Sequence, residues 1–127
     1  MPLLLDTHAF AWWALGDGRL SRTASLAIEG DAHVYVSAVV AWEIAGKVRT
    51  GRWPEAQELS SRFFETVTHD GMLALPITLE HAHLAGSLPG AHRDPFDRML
   101  AAQAITEGMS LVTADSAFRQ FEVQLIW

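Results

Sequence analysis

Short apolar runs alternate with longer stretches of mixed pattern along this chain. Residues 2–6, PLLLD, are apolar up to the closing acid, which predicts a short strand buried on both faces. THAFAWWALG predicts a helix ending near Gly16, and SRTASLAIEG (21–30) a second helix with Ser21 as its N-cap. HVYVS (33–37) is β-branched and aromatic, as strands are, and Ser37 can cap a helix through AVVAWEIAGKVRTG. An amphipathic helix is predicted over 55–69, started by Pro54. MLALP reads as a strand, TLEHAHLAGSL as a helix and PGAHR as a loop. DPFDRMLAAQAITEG predicts a helix with Asp94 at the cap, Pro95 at the first position and Gly108 at the end. SLVTAD and the closing VQLIW complete the strands. This alternation predicts an α/β fold of three layers, a central and mainly parallel sheet flanked by helices.

Composition narrows the class. At 127 residues, half of them hydrophobic and 19% charged, the chain suits one domain (1–127) with a real core rather than a disordered segment. It has no cysteine, which removes disulfides, thiolate metal sites and cysteine nucleophiles together. MPLLLD carries no basic segment ahead of its apolar run, so no signal peptide is expected, and no stretch approaches ~18 consecutive apolar residues. A soluble cytoplasmic protein is the expectation. Five tryptophans, Trp12, Trp13 and Trp127 among them, are expected mostly in the core, with some apolar surface left over for partners.

A net charge of −6 argues at first against nucleic acid. Five acids, however, fall at positions that suit a site: Asp6, Glu43, Asp94, Asp97 and Asp115. Setting them aside leaves −1, and Lys47, Arg49 and Arg52 gather in KVRTGR. That basic stretch reads equally as a solvated helix end, where cations suit the dipole.

Asp6 closes the first strand and Asp115 a later one. Open α/β sheets bind ligands outside the carboxyl ends of their strands, so both acids would project into one crevice. Each could instead merely cap the element that follows. Glu43 lies beside the apolar stripe of its helix, where it needs a partner; Lys47 at i+4 and a cation in the crevice are the two candidates. Asp94 and Asp97 resemble a capping box, but their helix feeds directly into SLVTAD. If that strand is parallel to its neighbours, the first turn faces the same crevice, and capping and ligation can coexist.

With LLLDTHAFAWW, SAVVAWEIAGKVRTGRW, HRDPFDRMLAAQA and LVTADSAF in this order across nearly the whole chain, the sequence resembles the PIN-domain ribonucleases, most closely the VapC-type toxins of bacterial toxin–antitoxin pairs. The resemblance implies an acidic catalytic and metal-binding quartet of Asp6, Glu43, Asp97 and Asp115. It implies a capping or supporting role for Asp94, with Thr7, Ser37 and Thr113 as polar positions beside the site. It implies one or two Mg²⁺ or Mn²⁺ ions, hydrolysis of RNA to 3′-hydroxyl and 5′-phosphate ends, a homodimer, and a cognate antitoxin that covers the cleft. Arg98, Lys47, Arg49 and Arg52 are then the candidates for holding the RNA backbone.

The chemistry agrees with that expectation. Clustered carboxylates repel one another and raise each other's pKa, and all-oxygen ligands select hard divalent cations over zinc. His81 and His83 stand two apart on a helix and point to different sides, so the histidines are expected to be satisfied or solvent-facing. Two rivals are a non-catalytic binding module whose acids only cap helices, and an acidic-site phosphatase or receiver domain. The second lacks support: His8 stands where a phosphatase needs an aspartate, and Lys47 is the only lysine.

Overall fold

The computed structural model describes residues 1–31 and 33–127. Its centre is a parallel sheet of β1 (Leu3–Leu5), β2 (Val34–Ser37), β3 (Leu73–Leu75), β4 (Ser110–Val112) and β5 (Leu125–Ile126). Around it lie α1 (Thr7–Leu15), α2 (Arg22–Gly30), α3 (Ala38–Arg49), α4 (Gln57–Ser61), α5 (Phe63–His69), α6 (Leu79–Ser87) and α7 (Pro95–Glu107). The expected α/β architecture is therefore present.

The strand order is β3-β2-β1-β4-β5. After β1 the chain crosses to β2 and β3 on one side, then returns to β4 and β5 on the other. The reversal lies between β1 and β4, which is where parallel sheets open a crevice at their carboxyl edge. Register fixes what stands there. Leu5 pairs with both Val36 and Val112, so Asp6, Ser37 and Thr113 emerge level from three adjacent strands.

β1 and β4 are buried throughout because helices cover both faces, and the core is built from Leu4, Leu5, Phe10, Ile44, Leu100, Leu111 and Phe118. At ~25 cal/mol per Å² of apolar surface, such fully buried side chains each contribute roughly 1.5–3 kcal/mol. The caps follow expectation: Ser21, Ser37 and Asp94 accept from the first backbone N–H groups of α2, α3 and α7. Gly16 and Gly108 end α1 and α7 with positive φ, a conformation that glycine adopts without penalty.

Two expectations need correction. The helix over 55–69 is interrupted: Pro54–Ala56 form a 3₁₀ turn, and α4 and α5 are separated at Arg62. Around the break Ser61 Oγ donates to the Glu58 carbonyl and Thr66 Oγ1 to that of Arg62, each sharing a carbonyl that also accepts a backbone N–H. The tryptophans are less buried than expected, although Trp13 and Trp53 pack against the core. Trp12, Trp13 and Trp53 are half-buried, and Trp42 and Trp127 are exposed.

Candidate active site

Three helix caps carry the acids. Asp6 ends β1 and caps α1, its Oδ1 accepting from the Ala9 N–H at 2.8 Å. Asp115 lies two residues beyond Thr113 and accepts from the Ala117 N–H at 2.9 Å. Asp94 caps α7 through the Phe96 and Asp97 N–H groups, which turns Asp97 toward the crevice. Capping uses part of each carboxylate, so Asp6 and Asp115 can cap and still face a ligand.

The tightest group is His92, Asp97 and Asp115, each offering one ligand atom with all three atoms within 4.8 Å of one another. His92 Nε2 lies 2.7 Å from Asp97 Oδ2. Asp6 and Glu43 do not belong to this triangle but are tied to it. The Thr113 hydroxyl donates to Asp6 Oδ2 and accepts from the Asp115 N–H at 3.0 Å. Thr7 Oγ1 donates to Glu43 Oε1 at 2.5 Å, placing Glu43 over the junction of β1 and α1.

The electrostatics bear the mark of crowded acids. Burial pushes the Asp6 carboxyl up to about 6 against its hydrogen bonds to Thr113 and Ala9, and the charges of Glu43 and Asp115 push the same way. Burial likewise raises Asp97 to about 6; the His92 hydrogen bond opposes this, and Asp94 and Asp115 add to it. Asp115 thus acts on both Asp6 and Asp97. Glu43, 6% exposed, is neutralised by Lys47, whose Nζ lies 2.6 Å from Oε2. A divalent cation would relieve the remaining negative charge, and oxygen ligands with at most one imidazole suit magnesium or manganese chemistry. The residues therefore fit such an ion.

A family model for the PIN domain matches residues 3–123. Ribonuclease VapC22 of Mycobacterium tuberculosis is 35% identical over 118 residues, covering 92% of this chain and 89% of that protein. This chain belongs to the PIN-domain family. Its fold recurs in solved structures, among them two crystal structures. VapBC2 from Rickettsia felis, bound to a promoter DNA fragment, superposes with a TM-score of 0.71 at 16% identity, over 98% of this chain and 97% of that one. FitAcB from Neisseria gonorrhoeae gives 0.67 at 17% identity, over 97% and 95%.

Ser37, read as a cap beside the site of this PIN domain, caps α3 and donates to Gln103 Oε1 at 2.5 Å, so it joins α3 to α7. Arg98, expected to hold RNA, is engaged elsewhere. Its Nε and Nη1 donate to the carbonyls of Ala85 and His92 at 2.8 and 2.9 Å, and its Nη2 to that of Leu88. It fixes the 85–92 segment and so carries His92 to Asp97. Arg49 and Arg52 do line an open groove of about 550 Å³ with Glu43 and Lys47, joined by Arg93, which sequence reasoning passed over. His92 was missed too. Helical spacing ruled out His81 and His83, but His92 meets Asp97 through a loop, where spacing predicts nothing; its place in HRDPFD was the available signal. His81 is satisfied as expected, with Nδ1 facing the Thr78 N–H and Nε2 2.8 Å from Glu107.

Proposed function

We propose that this PIN domain is a metal-dependent endoribonuclease, the toxin of a toxin–antitoxin pair, with Asp6, Glu43, Asp97 and Asp115 as its catalytic acids. One observation carries the reading. Asp97 and Asp115 approach one another at the reversal point of the sheet, and Asp6, whose carboxyl the charges of Glu43 and Asp115 both push up, stands next to them. Purely structural caps need no such convergence. The 35% identity to a protein named as a ribonuclease supports the same chemistry.

Asp97 and Asp115 present the most open oxygens for Mg²⁺ or Mn²⁺, with Asp6 behind them and His92 beside them. When bound, the cation supplies a nucleophilic water at neutral pH and neutralises charge on the phosphate. The protein's own groups do the rest. Thr113 holds Asp6 and Asp115 in register, and Thr7 and Lys47 hold Glu43 where it can orient water. Arg49, Arg52 and Arg93 supply positive charge for the RNA backbone along the adjoining groove.

The protein partners are a cognate antitoxin and a second copy of the chain. Trp42, Phe64 and Leu79 are 64%, 80% and 91% exposed, large apolar side chains available to such partners. An apolar groove of about 610 Å³ between β3 and α5, lined by Phe63, Phe64, Val67 and Leu75, adds to them. Among the described residues no helix is long and apolar enough to cross a membrane.

The test is direct. Purified protein is incubated with structured RNA and Mg²⁺, alongside an EDTA control and Asp97→Asn. Cleavage is expected only from the wild type with metal. Cleavage that survives both controls overturns the assignment.

A further inference from the structure

Four rings form a continuous row beside the acids. Trp127 and Trp12 have centroids 5.7 Å apart, Trp12 and His8 5.4 Å, and His8 and Trp53 5.0 Å, with planes inclined at 58°, 48° and 37°. Aromatic side chains gain most from burial, yet none of these is buried. His8 and Trp127 are exposed, and Trp12 and Trp53 are half-buried. Cations accompany the row: Arg19, itself paired with Asp17 at 2.8 Å, has its Cζ 5.0 Å from the Trp12 centroid, and Lys47 Nζ lies 6.0 Å from that of Trp53. Arg52 shares a recess of about 280 Å³ with His8, Lys47 and Trp53. The row is continuous with the catalytic acids. His8 follows Thr7, whose hydroxyl holds Glu43, and the lysine beside Trp53 is the one paired with Glu43.

We propose that Trp53, His8, Trp12 and Trp127 form a stacking track that holds the unpaired nucleotides flanking the scissile phosphate. This rests on the nuclease reading above and adds how the substrate is chosen. Accessible aromatic surface accepts any unpaired base by stacking, and cations beside the rings meet the phosphates. A duplex offers neither, because its bases are already stacked inside. Rings flanked by cations match a nucleic-acid strand better than an apolar protein face, for which the groove at α5 is the better fit.

The experiment uses the full chain in the Asp97→Asn background, which prevents cleavage. Binding of a fluorescein-labelled single-stranded RNA of mixed sequence, and of the same strand annealed to its complement, is followed by anisotropy. Trp53→Ala, Trp12→Ala and the ring-preserving Trp53→Phe are compared, with thermal melts to confirm folding. The parent protein is expected to prefer the single strand. Each alanine variant should bind it about tenfold more weakly, and Trp53→Phe within about threefold. RNA should quench tryptophan emission, with a smaller quench in Trp53→Phe; this readout stands even if Trp12→Ala misfolds.

Equal affinity for single strand and duplex, with the alanine variants unchanged and no quenching, overturns the track. So does a loss confined to antitoxin binding, which would make the row a protein interface. If the wild type cleaves RNA with Mg²⁺ while the variants bind it equally well, the track fails and the nuclease reading stands. If the wild type neither binds nor cleaves RNA, the nuclease reading itself has failed.

Discussion

His92 Nε2 faces Asp97 Oδ2 at 2.7 Å, and an Asp115 oxygen completes a group no wider than 4.8 Å. An imidazole at the edge of a carboxylate site changes its metal preference, because nitrogen ligands favour Mn²⁺ and later transition ions over Mg²⁺. His92→Ala should therefore lower Mn²⁺ affinity more than Mg²⁺ affinity, by roughly tenfold if the ring ligates directly and less if it only orients Asp97. Isothermal titration with both ions measures the ratio. A ratio identical in variant and wild type means that His92 has no part in holding the cation.

Asp97 carries an opposite pair of expectations for stability. Without metal its charge is a burden, since burial and neighbouring acids raise its pKa. Asp97→Asn in EDTA should melt no lower than wild type. With metal the order reverses, because an ion at ~100 times its dissociation constant stabilises the folded wild type by about 2.7 kcal/mol, and the variant loses most of that. An equal response of both proteins to low millimolar Mg²⁺ in thermal melts removes Asp97 from the ligand set.

The pH dependence follows with a definite sign. Asp6 and Asp97 titrate near 6 in the folded chain and near 3.9 in the unfolded one. Between these values the folded state holds more protons, so stability is greatest below the unfolded pKa and falls as pH rises through about 6. The loss is at most about 3 kcal/mol for each carboxyl. Metal-free protein should thus unfold at higher urea at about pH 5 than at about pH 7.5, once other titrations are matched with the Asp6→Asn and Asp97→Asn variants. Stabilisation by the cation should run the other way, because ligation needs the deprotonated acids. A metal-free stability that rises across this window in wild type relative to the variants contradicts the raised pKa values.

Arg98 separates a structural role from RNA contact. Its three bonds to backbone carbonyls place it under the 85–92 segment. Arg98→Ala should lower stability by roughly 2 kcal/mol, the range for lost hydrogen bonds from a charged donor. It should leave the salt dependence of RNA binding unchanged, whereas Arg52→Ala should reduce that slope by about one phosphate contact. Affinity measured from low to moderate salt distinguishes them, and a reduced slope in Arg98→Ala would restore the expectation drawn from the sequence.

These contrasts explain what could be read before folding. Asp6 and Asp115 were legible because acids that close apolar runs in a parallel α/β chain must emerge at the carboxyl edge, and Leu5 pairing with Val112 brings them to neighbouring strands. Asp94 was legible as a cap because the Asp-Pro pair states its own backbone geometry. The break at Arg62 was not, since the periodicity of 55–69 runs through it and no proline or glycine marks it. The carbonyl contacts of Arg98 were not legible because a guanidinium serves carbonyls as readily as phosphates, and composition does not say which lies nearby. The tryptophans misled for a related reason: hydrophobicity predicts burial on average, but surface rings beside a cleft are placed by what they meet.

Thr113 is the side chain on which the assembly of the acids most depends. Its hydroxyl donates to Asp6 and accepts from the Asp115 backbone, so one residue sets the separation of two carboxylates that lie far apart in the chain. Thr113 is buried, and valine would match its shape while removing both bonds. Asp6 would then lose a donor in a buried place, which costs about 1.5–3 kcal/mol for a charged acceptor and raises its pKa further. Thr113→Val should accordingly lower the urea midpoint, weaken Mg²⁺ binding and shift the acid limb of the pH–activity profile upward. Thr113→Ser, which keeps the hydroxyl, should recover most of the metal affinity. If valine and serine behave alike in metal titration and in the pH profile, Asp6 and Asp115 are held by something other than this hydroxyl.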